Sequence, residues 1–142
     1  MPHQSITSLI YVSTARAGLD ENEFLDIVDV AQRNNERFGL TGLIVFNGFN
    51  FIQYLEGDRP AVNDRLHHIG MDDRHSGLTI LSTSDTTKRQ FTHFNMAGRY
   101  LPSEKGLARQ GVDEMLADSA VSDSTRTIFQ SFLSLGGKQL SL

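Results

Sequence analysis

Three polar side chains stand where the apolar patterning of their own segments points inward: Tyr11 in SLIYVS, Asn35 in AQRNNERFGLTG and Gln53 in NFIQYLEG. A phenol and two carboxamides have a narrow set of chemical uses. The phenol titrates near about 10 and the amides not at all, which argues against hydrolysis as their role. What the set does offer is hydrogen-bond donors and acceptors side by side, the surface that a polar heterocycle requires. Left unpaired in a core, each group would cost about 1 to 3 kcal/mol, so each must find a partner in the chain or in a ligand. A single residue of this kind is ordinarily satisfied by neighbouring backbone or side chains. Three of them, on three different elements, point to a shared ligand.

The elements that must position these residues are readable from periodicity. Ile6 to Ser13 is rich in β-branched and aromatic residues and reads as a strand with Leu9, Tyr11 and Ser13 on one face. Between Glu21 and Phe38, the residues Phe24, Ile27, Val28, Ala31 and Phe38 recur at helical spacing, and Asn35 falls on the same stripe. Asp20 with Glu23 forms an N-terminal capping pair for that helix. Alternation in FNFIQYLEG groups Phe49, Phe51, Gln53 and Leu55, and Asn47-Gly48 before it is a hairpin signal. Strands are expected at about 6–13, 40–48, 49–56, 78–84 and 94–100, with helices near 21–37 and 60–71. Pro60 suits the first turn of the second helix, whose stripe is Val62, Leu66 and Ile69. Strand, helix, hairpin, helix, strand is the resulting order.

Beyond Tyr100 the pattern changes. Pro102, Gly106 and Gly111 suggest a loose connector, followed by a short helix near 112–117. SDSTRTIFQSFLSL then reads as a second helix with Ile128, Phe129, Phe132, Leu133 and Leu135 along one side. These helices are expected to cover the sheet face opposite the first pair.

Composition bounds the function. At 142 residues and 39% hydrophobic content the chain can bury one core. Thirteen basic and 17 acidic residues give a net charge of −4 without any basic run, which argues against a nucleic-acid partner. No segment approaches the ~20 apolar residues of a membrane span and no signal peptide is visible, so the cytoplasm is the expected setting. The absence of cysteine excludes disulfides and a cysteinyl link to a cofactor. His3, His67, His68, His75 and His93 include no pair at i and i+4, so no metal site is expected.

In order along the chain, Tyr11 with Ser13, RNNERFGLTGLIVF, FNFIQYLEG, MDDRH and Phe94-Asn95-Met96 resemble the BLUF (blue-light-using-flavin) photoreceptor domains. The resemblance runs from about Ser5 to about Tyr100. It assigns residues 1–100 to a flavin-binding domain and leaves 101–142 as a C-terminal helical extension packing on the sheet. It implies a ferredoxin-like α/β sandwich, with a five-stranded mixed sheet and a flavin ring held between two helices on one face. The cofactor implied is non-covalent FAD, with FMN the alternative. By similarity, Asn35 bonds the ring's carbonyl and imide edge, with Asn34 nearby. Asp72 bonds the ribityl hydroxyls, and Arg74 and His75 sit near the phosphate, with Arg65 and His68 as weaker candidates. In the family, the tyrosine matching Tyr11 donates an electron and a proton after blue excitation. The glutamine matching Gln53 then changes its hydrogen bonds by rotation, tautomerisation or both, and Met96 reports the change to the sheet. Phe94 departs from the pattern, since many members carry tryptophan there. The resemblance implies a sensor rather than an enzyme, signalling through a homo-oligomer or a downstream effector protein. Two rivals remain: a ferredoxin-like binding module without photoactivity, and an acylphosphatase-like hydrolase, which would leave Tyr11 and Gln53 unexplained.

Overall fold

The computed structural model describes residues 5–102 and 107–135. In chain order it contains β1 (Ile6–Ala15), α1 (Glu21–Phe38), β2 (Thr41–Phe46), β3 (Asn50–Gly57), α2 (Arg59–Gly70), β4 (His75–Thr86), β5 (Ala97–Tyr100), α3 (Leu107–Leu116) and α4 (Asp123–Leu133). The strands form one sheet in the order β4-β1-β3-β2-β5. β3 runs antiparallel to both β1 and β2, β4 is antiparallel to β1, and β5 is parallel to β2. The expected mixed five-stranded sandwich is present. No helix among the described residues is long and apolar enough to cross a membrane.

Strand alternation divides the side chains between two cores. Leu9, Tyr11, Ile44, Phe46, Phe51 and Leu55 meet Phe24 and Val28 of α1 and Val62 of α2. Their neighbours Ile10, Val12, Leu43, Val45, Ile52 and Tyr54 meet Val112 and Leu116 of α3 and Phe129, Phe132 and Leu133 of α4. The C-terminal helices therefore cover the face opposite α1 and α2, as their apolar stripes predicted. β3, in the middle, is buried at every residue. A strand with helices on both faces has no solvent side, so its polar residues Asn50, Gln53 and Glu56 are buried along with its apolar ones.

Local chemistry fixes the ends. Asp20 accepts from the Glu23 N–H at 2.8 Å and caps α1, while the Glu23 carboxylate turns to Arg16 instead of closing a reciprocal box. Gly39 ends α1 in the left-handed region at φ +69°, its N–H near Asn35 O. Ser122 caps α4 by accepting from Thr125 N at 3.1 Å.

Several expected boundaries move. The hairpin turns on Gly48 and Phe49, one residue later than the Asn-Gly pair suggested. The Asn47 carbonyl oxygen of the side chain accepts from the N–H groups of Phe49 and Asn50, at 2.9 and 2.7 Å, and Gly48 takes φ +105°. Asn47 thus shapes the turn from its first position and Phe49 becomes a loop residue, 48% exposed, not a member of the Gln53 face. Phe38, in the last turn of α1, is likewise 47% exposed, because the helix ends before its stripe returns to the sheet. β4 begins at His75 and β5 only at Ala97, so Phe94, Asn95 and Met96 belong to the segment between them. Gly111, expected in a connector, lies inside α3; Gly106 falls outside the described residues.

The segment joining β4 to β5 is held by a buried carboxylate. Glu56 is fully buried and accepts from Tyr54 Oη at 3.0 Å, Thr41 Oγ1 at 2.9 Å, Gln90 N at 2.8 Å and Phe91 N at 2.7 Å. Charge-assisted bonds from several donors offset the cost of burying the anion. Arg89 adds bonds to Gly39 O at 2.7 Å and Thr41 Oγ1 at 3.1 Å. Glycine is required where β2 lies against β3: a Cβ on Gly42 would lie 1.9 Å from the Tyr54 carbonyl oxygen.

Gly42→Ala is expected to lower unfolding stability by about 3 kcal/mol or more, since backbone must move to admit one methyl group. Glu56→Gln turns part of an all-acceptor group into a donor facing donors and is expected to cost about 2 to 4 kcal/mol. Urea unfolding followed by circular dichroism checks both, and a loss below about 0.5 kcal/mol in either would contradict the packing described.

Candidate functional site

β1 and β3 pair so that Tyr11 lies directly opposite Gln53. Both side chains emerge on the face covered by α1 and α2, and the Tyr11 hydroxyl donates to Gln53 Oε1. Because that carbonyl end is engaged, the Gln53 NH2 end points the other way, 3.7 Å from the sulfur of Met96. Tyr11, Gln53 and Met96 are all 2–3% exposed, so this chain of contacts is sealed from solvent.

Asn35 is 1% exposed on the inner stripe of α1. Its Nδ2 donates to the Asn95 carbonyl at 2.6 Å, which fixes the orientation of the amide because a carbonyl only accepts. The consequence is that Asn35 Oδ1 is buried without a partner. Gln32, one turn earlier, donates to the Met96 carbonyl at 3.0 Å, and Gly42 N donates to the Phe94 carbonyl at 3.1 Å. Three successive carbonyls of the 94–96 segment are thereby gripped by α1 and β2.

Tyr11, Asn35 and Gln53 border a cleft, partly open to solvent, between α1 and α2 over the sheet. Its floor is Tyr11, Ile44, Phe51 and Gln53; Ile27, Ala31 and Asn35 form the α1 wall; Arg65 and Ile69 form the α2 wall; Asp72, Arg74 and His75 close one end. An apolar cleft with a few convergent polar groups is the usual form of a small-molecule site. Among the described residues no group of His, Asp and Glu has a metal-binding arrangement.

Electrostatics follow from burial. Desolvation pushes the Tyr11 phenol well above its ordinary value, with Arg65 acting to lower it and Asp72 to raise it. The phenol keeps its proton at all ordinary pH. The Arg74 guanidinium holds the Asp72 carboxyl below the usual carboxylate range, chiefly through hydrogen bonds.

The sequence candidates separate into groups. Tyr11, Asn35, Gln53, Asp72, Arg74 and His75 converge on the cleft, and Met96 stands behind Gln53. Asn34 is half-buried and is not among the cleft-lining residues. Phe94 is 41% exposed and is not among the cleft-lining residues, so the tryptophan-to-phenylalanine difference falls outside the cleft. Arg74 is committed: Nε and NH2 bond Asp72, the latter at 2.6 Å, and NH1 bonds Asp26 of α1 at 3.0 Å. His75 is also committed. Its Nε2 lies 2.7 Å from the Ile69 carbonyl and must donate there, and its Nδ1 bonds Ser13 Oγ at 2.8 Å. It braces α2 against β1, edge-on to Phe51 with ring centroids 5.8 Å apart. Sequence reasoning assigned no role to Gln32 or Glu56. Gln32 sits one helical turn before Asn35, and that spacing was a usable signal.

The family model for BLUF, described as sensors of blue-light using FAD, matches residues 6–97. The blue light- and temperature-regulated antirepressor BluF of Escherichia coli K12 is 33% identical over 86 residues, which is 61% of this chain and 21% of that protein. The chain thus spans about a fifth of the length of this relative. Among solved structures, BlrP1 BLUF superposes with a TM-score of 0.79 at 26% identity, covering 96% of this chain and 95% of that one. Klebsiella pneumoniae BlrP1 with FMN and cyclic diGMP gives 0.78 at 26%, covering 93% of this chain and 35% of that one. The sheet order, the paired Tyr11 and Gln53 and these matches agree, and the chain belongs to the BLUF family.

Proposed function

We propose that this chain is a blue-light photoreceptor whose cleft binds FAD without a covalent bond, and that its signal begins in the Tyr11 and Gln53 hydrogen bonds. The observation that carries the reading is the sealed series from Tyr11 to Gln53 to Met96 beside the unpartnered Asn35 oxygen. A flavin ring fits this donor set. Its imide N–H would satisfy Asn35 Oδ1, and its ring acceptors would meet the Gln53 amide. FAD is the form named for the family, while FMN accompanies the BlrP1 structure.

When bound, the flavin would supply absorption of blue light and an excited state able to take an electron. Tyr11 is the donor the cleft provides. Burial keeps its proton in place in the dark; losing an electron makes a phenol strongly acidic, so the proton would follow the electron to the flavin by way of the Gln53 amide, and the return of both would leave every group neutral. Gln53 holds one acceptor end and one donor end on a single planar group, so exchanging the two ends rewrites its bonds to Tyr11 and Met96 without creating a charge. Met96 then feels the change through its sulfur, while Gln32 holds its backbone carbonyl to α1.

The same reading gives residues 1–100 the light chemistry and 101–142 the output. Gln90, clamped by Glu56 through its backbone, also accepts from Ser122 N at 3.0 Å through its side chain, at the start of α4. A movement of the 90–96 segment would therefore reach the C-terminal helices, and through them a partner protein or a second copy of the chain.

The test is the visible spectrum of the purified protein before, during and after blue illumination. Flavin bands should shift slightly to the red and recover in darkness. Tyr11→Phe and Gln53→Leu should each bind flavin and lose the reversible shift, since each removes one end of the bond. A normal light response in either variant would sink this mechanism, and a colourless protein that takes up no flavin would sink the photoreceptor reading.

A further inference from the structure

Two guanidinium groups line the cleft, and they differ in what they already hold. Arg74 faces two carboxylates, those of Asp72 and Asp26, so that corner carries one negative charge in excess. Arg65, on α2, has no ion pair or hydrogen-bond partner among the described residues, although it is half-buried and lines the same cleft. Its field reaches the Tyr11 hydroxyl. His75 has both ring nitrogens occupied, and His68 is exposed with Nδ1 turned 2.8 Å from the Asp64 carbonyl. Arg65 is thus the one cation of the cleft with its donors uncommitted.

Depth in the cleft says which part of a ligand it would meet. The neutral groups Tyr11, Asn35 and Gln53 are buried to within 1–3% exposure and form the floor, whereas Arg65, Asp72 and Arg74 are half-buried at the rim. A ligand with a flat neutral ring in the floor presents its tail at that rim. A phosphate arriving there meets Asp72 and Asp26, and repulsion from the excess carboxylate must be offset by an uncommitted cation. A guanidinium suits the task because its planar fork matches phosphate oxygens.

We infer that Arg65, rather than Arg74 or His75, pairs with the phosphate of the bound flavin and makes the cleft select phosphorylated flavins over riboflavin. This inference rests on the flavin-cleft reading above. Arg74 acts as a positioning residue, tying α1 to the 72–75 segment through Asp26 and Asp72.

The experiment is a fluorescence-quenching titration of the flavin-free full chain with riboflavin and with FMN, which differ only by the phosphate. The unsubstituted chain should bind FMN more tightly by about tenfold or more, the scale of one charge-assisted contact. Arg65→Gln should weaken FMN by a similar factor while leaving riboflavin within about twofold, so that the preference disappears. Arg65→Lys, which keeps the charge and loses the fork, should retain part of it. Equal affinity of the unsubstituted chain for the two flavins would overturn the inference and leave the flavin cleft standing. So would an Arg65→Gln variant that keeps the FMN preference or loses both ligands together. Failure of the unsubstituted chain to bind either flavin would overturn the flavin-cleft reading itself.

Discussion

The register between β1 and β3 is the constraint on which the site depends. Tyr11 opposes Gln53 only in that register, and both reach the helix-covered face only because strand side chains alternate. A slip of one residue would send Gln53 into the opposite core, among Ile10, Phe91 and Phe129. The slip is penalised twice, because each face of β3 is packed against helices. Polar contacts add to this: Asn50 at the start of β3 bonds the Ser13 carbonyl at 3.3 Å, and Asn47 holds the preceding turn. Register, turn and two-sided burial are mutually consistent, so one arrangement of the Tyr11 hydroxyl and the Gln53 amide is selected.

The same two-sided burial explains why the segment between β4 and β5 is so heavily tied. It carries Phe91 into one core and Met96 into the other within six positions, and it has little regular structure of its own to satisfy its backbone groups. Glu56 supplies acceptors on the first side, while Asn35, Gln32 and Gly42 supply donors on the second. A buried anion is tolerated at Glu56 because every approaching group is a donor. An amide is used at Gln53 because its neighbours include both a donor and a weak acceptor.

Much of this was legible in the sequence, for a physical reason. Tyr11, Asn35 and Gln53 stood out because each breaks an apolar period at an inward position, and hydrophobic periodicity is a local property. What failed was decided by contacts distant in sequence. Glu56 resembles a surface residue until Gln90 and Phe91, more than thirty positions away, are brought over it. Arg74 bonds Asp72, two residues before it, but its second partner, Asp26, lies 48 residues earlier and could not be read locally. Phe38 and Phe49 fit their periods and still face solvent, since a helix end and a turn shape displace them by less than one element. Phe94 to Met96 read as strand because their residue types suit one; the ladder to β2 begins only at Ala97, and the backbone before it is spent on side chains and on Gly42.

Neutral hydrogen-bonding groups are what a core this dry holds at low cost. An unpaired charge buried beside Tyr11 and Gln53 would cost several kcal/mol, whereas a phenol and a carboxamide pair there with no net charge. Close packing ties this pair to its surroundings. Gln53 touches Met96, Met96 is held by α1, and the segment before it is clamped to the other face through Glu56. The charges that remain, Arg65 with Asp72, Arg74 and Asp26, stand at the rim, where solvent screening makes them inexpensive to keep and where a charged tail of a ligand would meet them. Neutral chemistry in the floor and ionic chemistry at the rim are therefore one design, set by how far each residue lies from water.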